Sequence, residues 1–253
     1  MFGQSAGAGS LGTQSMKLRN TFGTVQNRET YEGLRVSLST GSYIRCNDRF
    51  FGVPWVVGSV ASGSITGNLA IFPIGKHGKA DLDRGFIEAS SQQLLDFDFY
   101  KFESNIVATA TRDGLVKVFR FPEDGVLEGN ATVADSYLAG HEKKVDHVRF
   151  HPSATDLLLS ASSDQTVRLW DFRSMQEVVT LSDPETTAQD IYWSPHGSVV
   201  LQTGRDGSIS MFDPRAQTTP VLRHVMQDFA TSRALSAAFL NYDGYDLVVS
   251  GFA

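Results

Sequence analysis

The sequence predicts an all-β propeller, and three observations carry that reading. The chain repeats itself: residues 145–170 align without a gap on residues 94–119 at an offset of 51, and residues 190–212 follow as a third copy at offsets of 42 or 43. Each copy reads as short strands, with apolar residues alternating at positions such as Val148 and Phe150. A tight turn of the Asp113-Gly114 kind then leads to a strand ending in an aromatic. Helical periodicity is nearly absent. A unit of about 42 residues holding three or four short strands is the pattern of a propeller blade.

Taken in order, residues 1–16 are rich in Gly and Ser. They lack the basic start and apolar run of a secretory leader and read as a flexible tail. Residues 17–40 follow as a separate basic segment. Over residues 1–60, Lys17, Arg19, Arg28, Arg35, Arg45 and Arg49 outnumber Glu29, Glu32 and Asp48, a balance of +3. The whole chain has a net charge of −6, so the other 193 residues carry −9. That asymmetry points to steering toward an acidic partner surface. An acidic chain without a basic stripe interleaved with aromatics argues against nucleic acid.

Residues 41–253 carry the blades. Val148 aligns with Phe97, Phe150 with Phe99, Asp164 with Asp113 and Trp170 with Phe119. Ile191, Trp193, Asp206 and Phe212 take the same places in the third copy, and a fourth copy opens at Ser236 with Ala237 and Phe239. A polar insert, residues 122–136, explains the longer first spacing. Residue 253 falls in the second strand of a fifth blade, so the chain encodes about four and a half blades. An isolated polypeptide of this kind is expected to be marginal or insoluble, because its strand edges lack partners. The strand around Val36-Ser37 is expected to complete the last blade and to have nothing to pair with.

Several chemistries are disfavoured. The single cysteine, Cys46, allows no intramolecular disulfide and no cysteine-based zinc site, and it reads as a strand-packing residue in a reducing, cytoplasmic compartment. No apolar run reaches the roughly 18 residues of a membrane-spanning helix. His141, His147 and His151 are close in sequence but are expected to point in different directions, so no metal site is assigned. Residues 75–80 lack the spacing of a phosphate loop. No nucleophile–base pair stands out, and neither catalytic residues nor a cofactor are assigned.

Gly140-His141, then about thirty residues, then Trp170-Asp171, resembles the WD40 repeat. The resemblance implies a hydrogen-bonded relay within one blade through His141, Ser160, Asp164 and Trp170. Elsewhere Phe119-Arg120 and Phe212-Asp213 replace Trp-Asp, and no Gly-His precedes those units. Such blades are expected to rely on apolar packing and backbone ladders.

The flanking motifs narrow the family. Lys17-Leu18-Arg19 with Phe22-Gly23, then Tyr31-Glu32-Gly33-Leu34-Arg35-Val36-Ser37, resembles the N-terminal signature of coronins. The run from Phe72 to Lys79 is similar to the coronin segment that closes the first blade. Further resemblances follow collinearly at Val118 to Gly125, Gly140 to Val145, Phe150-His151-Pro152, Asp213-Pro214-Arg215 and Ser250-Gly251-Phe252. Some stretches, such as Leu34 to Thr40, lean toward the coronins with two tandem propellers. The resemblance implies a seven-bladed WD40-type propeller and a non-enzymatic scaffold that binds actin filaments in the cytoplasm. The signature arginine, Arg35, is then an actin-contacting residue, unless it serves only to fasten the N-terminal strand to the ring. Arg28, Lys143 and Lys144 are secondary candidates, chosen by charge and expected loop placement. The alternative is a tandem-coronin-like adaptor in vesicle or Golgi trafficking, binding other proteins through a propeller face.

Overall fold

The computed structural model describes residues 30–37, 44–57, 67–81, 83–226, 235–240 and 246–251. The expected tail, the Lys17 to Gly23 motif, Arg28 and Phe252 lie outside these residues. The described residues form β-structure and no helix.

The chain begins with β1 (Tyr31–Glu32), then β2 (Arg45–Cys46), β3 (Phe50–Pro54), β4 (Gly67–Pro73), β5 (Gly78–Lys79) and β6 (Ile87–Ser90). Strands β2-β3-β4-β6 make the first four-stranded antiparallel blade. Blade 2 is β7 (Leu94–Phe99), β8 (Ile106–Thr111), β9 (Val116–Arg120) and β10 (Ser136–Leu138). Blade 3 is β11 (Val145–Phe150), β12 (Leu157–Ser162), β13 (Thr166–Asp171) and β14 (Gln176–Ser182). Blade 4 is β15 (Ala188–Trp193), β16 (Val200–Gly204), β17 (Ser208–Phe212) and β18 (Leu222–Val225). A further pair, β19 (Leu235–Phe239) and β20 (Leu247–Gly251), follows.

The first strands β2, β7, β11, β15 and β19 touch one another in sequence and form the inner rim of a fan of sheets. Turns between second and third strands therefore share one end of the fan with the loops that enter each first strand. Connections between first and second strands lie at the other end.

Successive residues of a strand serve opposite neighbours, which is why the second strands read as unbroken apolar runs. Val107 packs toward blade 1 with Phe50, Leu69, Phe97 and Phe119. Ile106, Ala108 and Ala110 pack toward blade 3 with Val148, Leu158 and Trp170. Leu159 and Ala161 turn the other way, onto Ile191, Val200 and Phe212 of blade 4. The core is thus a series of layers between sheets.

The tight turns depend on backbone handedness. Gly114 and Gly207 have φ of 85° and 78°, and Gln165 is held at 71° in the equivalent turn of blade 3.

Two connections differ from expectation. Val36 and Ser37 do not await a last blade: Val36 bridges Trp55, Ser37 N–H donates to Pro54 O at 2.9 Å, and Val56 N–H donates to Arg35 O at 2.9 Å. Tyr31, Leu34 and Val36 cover the face of blade 1 that carries Phe51, Val53, Trp55 and Phe72, so burial of that apolar face fixes the arm there. The run from Phe72 to Lys79 does not close the blade. It leaves β4 and places β5 in parallel pairing with β1, while β6 is the outer strand.

The polar insert has a structural task. Ala131 N–H donates to Phe86 O and Glu88 N–H to Ala131 O, both at 2.9 Å, so a segment leaving blade 2 runs along the edge of blade 1.

Candidate functional site

In blade 3 the Gly140-His141 pair enters just above β11. A side chain at position 140 would meet the Arg168 guanidinium at 2.6 Å and the Trp170 ring at 2.9 Å, so only glycine fits this close approach. His141 Nδ1 lies 2.9 Å from Asp164 Oδ2, and its Nε2 lies 2.7 Å from Ser160 Oγ. Trp170 Nε1–H donates to Ser160 Oγ at 2.8 Å. One proton arrangement satisfies every group: Nδ1–H donates to Asp164, and Ser160 donates to Nε2 while accepting from Trp170. Burial lowers the His141 pKa, and hydrogen bonding to Asp164 only partly restores it. Burial of Asp164 is outweighed by hydrogen bonds from Thr166 and His141, which bring its carboxyl down to about 2.

The order serine–histidine–aspartate is that of a hydrolytic triad. Here Ser160 is 0% exposed and its oxygen already accepts the indole N–H, so no substrate atom can reach it.

Blades 2 and 4 do not rely on apolar packing and ladders alone, contrary to the expectation from their degenerate signatures. Ser90 and Asp183 stand at the His141 offset. Ser90 Oγ donates to Asp113 Oδ2 at 2.7 Å, reproducing the histidine–aspartate contact with a shorter side chain. Asp183 accepts from Ser210 Oγ at 2.5 Å and from Arg223 Nε at 3.3 Å, and Arg223 Nη2 reaches Asp206 Oδ2 at 2.5 Å. An arginine thus bridges Asp183 and Asp206 where a histidine would hold one acid, and its Nη1 also lies 3.0 Å from Glu185 Oε2.

The inner rim carries a second polar system. Each of β7, β11 and β15 has an irregularity in register just before Asp96, His147 and Asp190 respectively. Such bulges re-aim the following side chain, and all three converge between blades. Arg149 donates through Nη1 to Asp96 and through Nη2 to Asp190 Oδ1 at 3.0 Å. Arg45 Nη2 from blade 1 approaches Asp96 Oδ1 at 3.2 Å. Tyr192 Oη donates to Asp190 and lies 2.8 Å from Ser236 Oγ on β19. Asp96 is 1% exposed; burial opposes its charge, but Arg149, His147 and Arg45 hold its carboxyl well below the usual range. At Asp98 the balance reverses: burial pushes the carboxyl up against the pull of Arg149 and Arg45. Burial of Arg149 is outweighed by Asp96, Asp190 and Asp98, and its pKa is raised.

Sequence reasoning did not single out this system. The signal was in the aligned columns: Asp96, His147 and Asp190 share one place, and Asp98, Arg149 and Tyr192 share the next inward-facing one.

The three neighbouring histidines have separate environments. His141 sits in the relay, and His147 Nδ1 is 3.6 Å from both Asp96 Oδ2 and Asp190 Oδ1. His151 Nε2–H donates to Gly197 O at 3.0 Å, while its Nδ1 accepts from the Ala154 N–H at 2.7 Å. Cys46 lies on a strand but is exposed, not packed, because the neighbouring Arg45 takes the side facing Asp96.

Arg35 lies beside Val56, just past β3, at the end of the fan that holds the second-to-third strand turns. Lys143 and Lys144 lie at the same end, in the loop entering β11, where their carbonyls accept from Ser162 Oγ at 3.2 Å and Ser163 N–H at 3.1 Å. Lys143 is exposed, whereas Lys144 Nζ pairs with Asp146 Oδ1 at 2.5 Å. The structure therefore brings Arg35 and Lys143 to one face and commits Lys144 to a neighbour. Among the described residues no helix is long and apolar enough to cross a membrane.

Comparison with known proteins agrees with this architecture. A family model described as WD domain, G-beta repeat matches residues 134–171, which enclose the relay. A second, described only as a domain of unknown function (DUF1899), matches residues 12–79. Villidin of Dictyostelium discoideum is 29% identical over 213 residues, covering 81% of this chain and 12% of that protein. Coronin-7 of Homo sapiens is 27% identical over 244 residues, covering 94% and 25%. The coronin-like protein of Saccharomyces cerevisiae is 29% identical over 215 residues, covering 81% and 32%. The chain thus spans at most about a third of these relatives. The crystal structure of the WD40 domain from Toxoplasma gondii coronin superposes with a TM-score of 0.74 at 23% identity, covering 85% of this chain and 53% of that one. Collinear motifs, four-stranded blades around one inner rim and these relatives together make the chain similar to coronins in sequence and to their WD40 domain in fold.

Proposed function

We propose that the chain is a non-enzymatic, cytoskeleton-associated scaffold that binds actin filaments, with residues 41–253 forming propeller blades and residues 17–40 the signature segment that attaches to them. Kinship with coronins supports the reading. The observation that carries it is the position of Arg35: the arm holding it is fastened to blade 1 by backbone hydrogen bonds, which puts this half-buried residue at the same end of the fan as the exposed Lys143. A guanidinium pairs bidentately with carboxylates and keeps its charge at any physiological pH. A rigid frame lowers the entropy lost when such groups dock.

Co-sedimentation with filamentous actin at two salt concentrations tests the reading. The protein pellets at low salt and less at high salt, because screening weakens contacts between exposed charges. Arg35→Asp is expected to weaken binding by about tenfold, roughly 1.4 kcal/mol. Failure of the unsubstituted protein to pellet at low salt, or equal pelleting by Arg35→Asp, overturns it; the first outcome would favour the adaptor alternative.

A further inference from the structure

Resting on that reading, we propose that Arg112 and Arg205 extend the face into an arc of cations, one on each of four successive blades, that docks on regularly spaced acidic groups of the partner. Arg112 and Arg205 are equivalent residues. Each precedes the turn aspartate of its blade, in Arg112-Asp113-Gly114 and Arg205-Asp206-Gly207, and each is exposed. Their backbones are fixed: Arg112 N–H donates to Gln93 O at 3.0 Å and Arg205 N–H to Thr187 O at 3.1 Å.

Neither adjacent aspartate forms an ion pair with its arginine. Asp113 accepts from Ser90 Oγ, Thr111 Oγ1 and Leu115 N–H, and Asp206 accepts from Ser208 and Arg223. Neither arginine side chain has an ion-pair partner among the described residues. In blade 3 the equivalent position is Ser163, whose hydroxyl is spent on Asp146 at 2.6 Å. There the exposed cation is Lys143 from the adjoining loop, with Glu142 as its exposed acidic neighbour.

Arg35, Arg112, Lys143 and Arg205 therefore mark blades 1, 2, 3 and 4 on one end of the fan. Single cations a blade apart suit carboxylates on a repeating protein surface. They suit a nucleic acid poorly, since a chain of net charge −6 repels a continuous polyanion on either side of the arc. The sequence held the signal, because the two arginines align once the turn aspartates are aligned.

Arg112→Glu, Arg205→Glu and the double variant are to be compared with the unsubstituted protein in low-salt co-sedimentation with filamentous actin. Lys101→Glu makes the same charge change in the loop after β7, at the opposite end of the fan, and is exposed there. Each single variant is expected to weaken binding by about fivefold, with effects that multiply in the double variant, and Lys101→Glu by less than about twofold. Thermal melts check that the turns remain folded. If the unsubstituted protein pellets and Arg35→Asp does not, while both arginine variants bind normally, the arc is refuted and the filament reading stands. Equal weakening by Lys101→Glu also refutes the arc, as a mere net-charge effect. If the unsubstituted protein does not pellet, the filament reading fails and takes the arc with it.

Discussion

Replacing Arg149 with leucine tests whether the inner rim is held by charge. The substitution keeps much of the apolar stem and removes the guanidinium that joins Asp96 to Asp190. Asp96 then stays buried with Arg45 at 3.2 Å, His147 Nδ1 at 3.6 Å and the N–H groups of Phe97 at 3.0 Å and Val148 at 3.2 Å as its partners. Breaking a buried pair by removing one side costs about 3–5 kcal/mol, and the remaining Arg45 places this case near 3. At about 2–4 °C per kcal/mol for a chain of this size, the melting temperature falls by roughly 6–12 °C.

The pH dependence gives a sharper criterion. In the unsubstituted protein the Asp96 pKa is depressed when folded, so its contribution is present above the unfolded value near about 3.9 and is lost as pH falls through the folded one. Without Arg149, burial is opposed only by His147, Arg45 and the two N–H groups, so the folded pKa is expected to rise. Once past the unfolded value, Asp96 penalises the fold at neutral pH, and the penalty fades as the pH drops toward about 4. Urea unfolding at pH 7 and pH 4.5 should therefore show a larger deficit at pH 7. Adding Asp96→Asn to the Arg149→Leu variant should recover part of it. A deficit below about 1 kcal/mol at pH 7, equal deficits at both pH values, or further loss on adding Asp96→Asn would refute the reasoning.

Two further outcomes concern blade 3. Ser160→Ala leaves the buried Trp170 N–H and His141 Nε2 without their shared partner, which is expected to cost about 1–3 kcal/mol in urea unfolding; a loss under about 0.5 would mean that the relay does not hold the blade. Gln165→Gly removes the strain of a side chain at φ 71° and is expected to raise stability by about 0.5–1 kcal/mol after the entropy lost by glycine, so an unchanged or lower melting temperature would count against strain at that turn.

The blades were legible because alternation and turn chemistry recur at a nearly fixed offset, and Val148, Phe97 and Ile191 are all fully buried as their alignment required. The relay partners His141, Ser160, Asp164 and Trp170 were legible from the Gly-His and Trp-Asp spacing, and the structure places them within hydrogen-bonding distance. Ser90 and Asp183 escaped notice because they share a place with His141 but not a residue type. The inner-rim charges were harder to read. Asp96 and Arg149 are 53 residues apart, and a bulge absent from the strict alternation pattern aims Asp96 at its partner. The docking of Val36 and Ser37 onto blade 1 left little sequence trace, because its hydrogen bonds are main-chain ones and the apolar Tyr31, Leu34 and Val36 do not say which blade they cover.

Stacked repeats that touch only their neighbours tend to unfold one unit at a time, since stability is a sum of unit and interface terms. The inner rim changes that expectation. Arg45 ties blade 1 to blade 2, Arg149 ties blades 2, 3 and 4, and the Tyr192–Ser236 contact continues to β19. Detaching blade 3 takes Arg149 away from the buried Asp96 of blade 2, so the interface terms there are large relative to the units they join. This coupling works against the marginal stability expected from unpaired strand edges, and the fan should accordingly melt as a single cooperative body, with calorimetric and van't Hoff enthalpies in agreement.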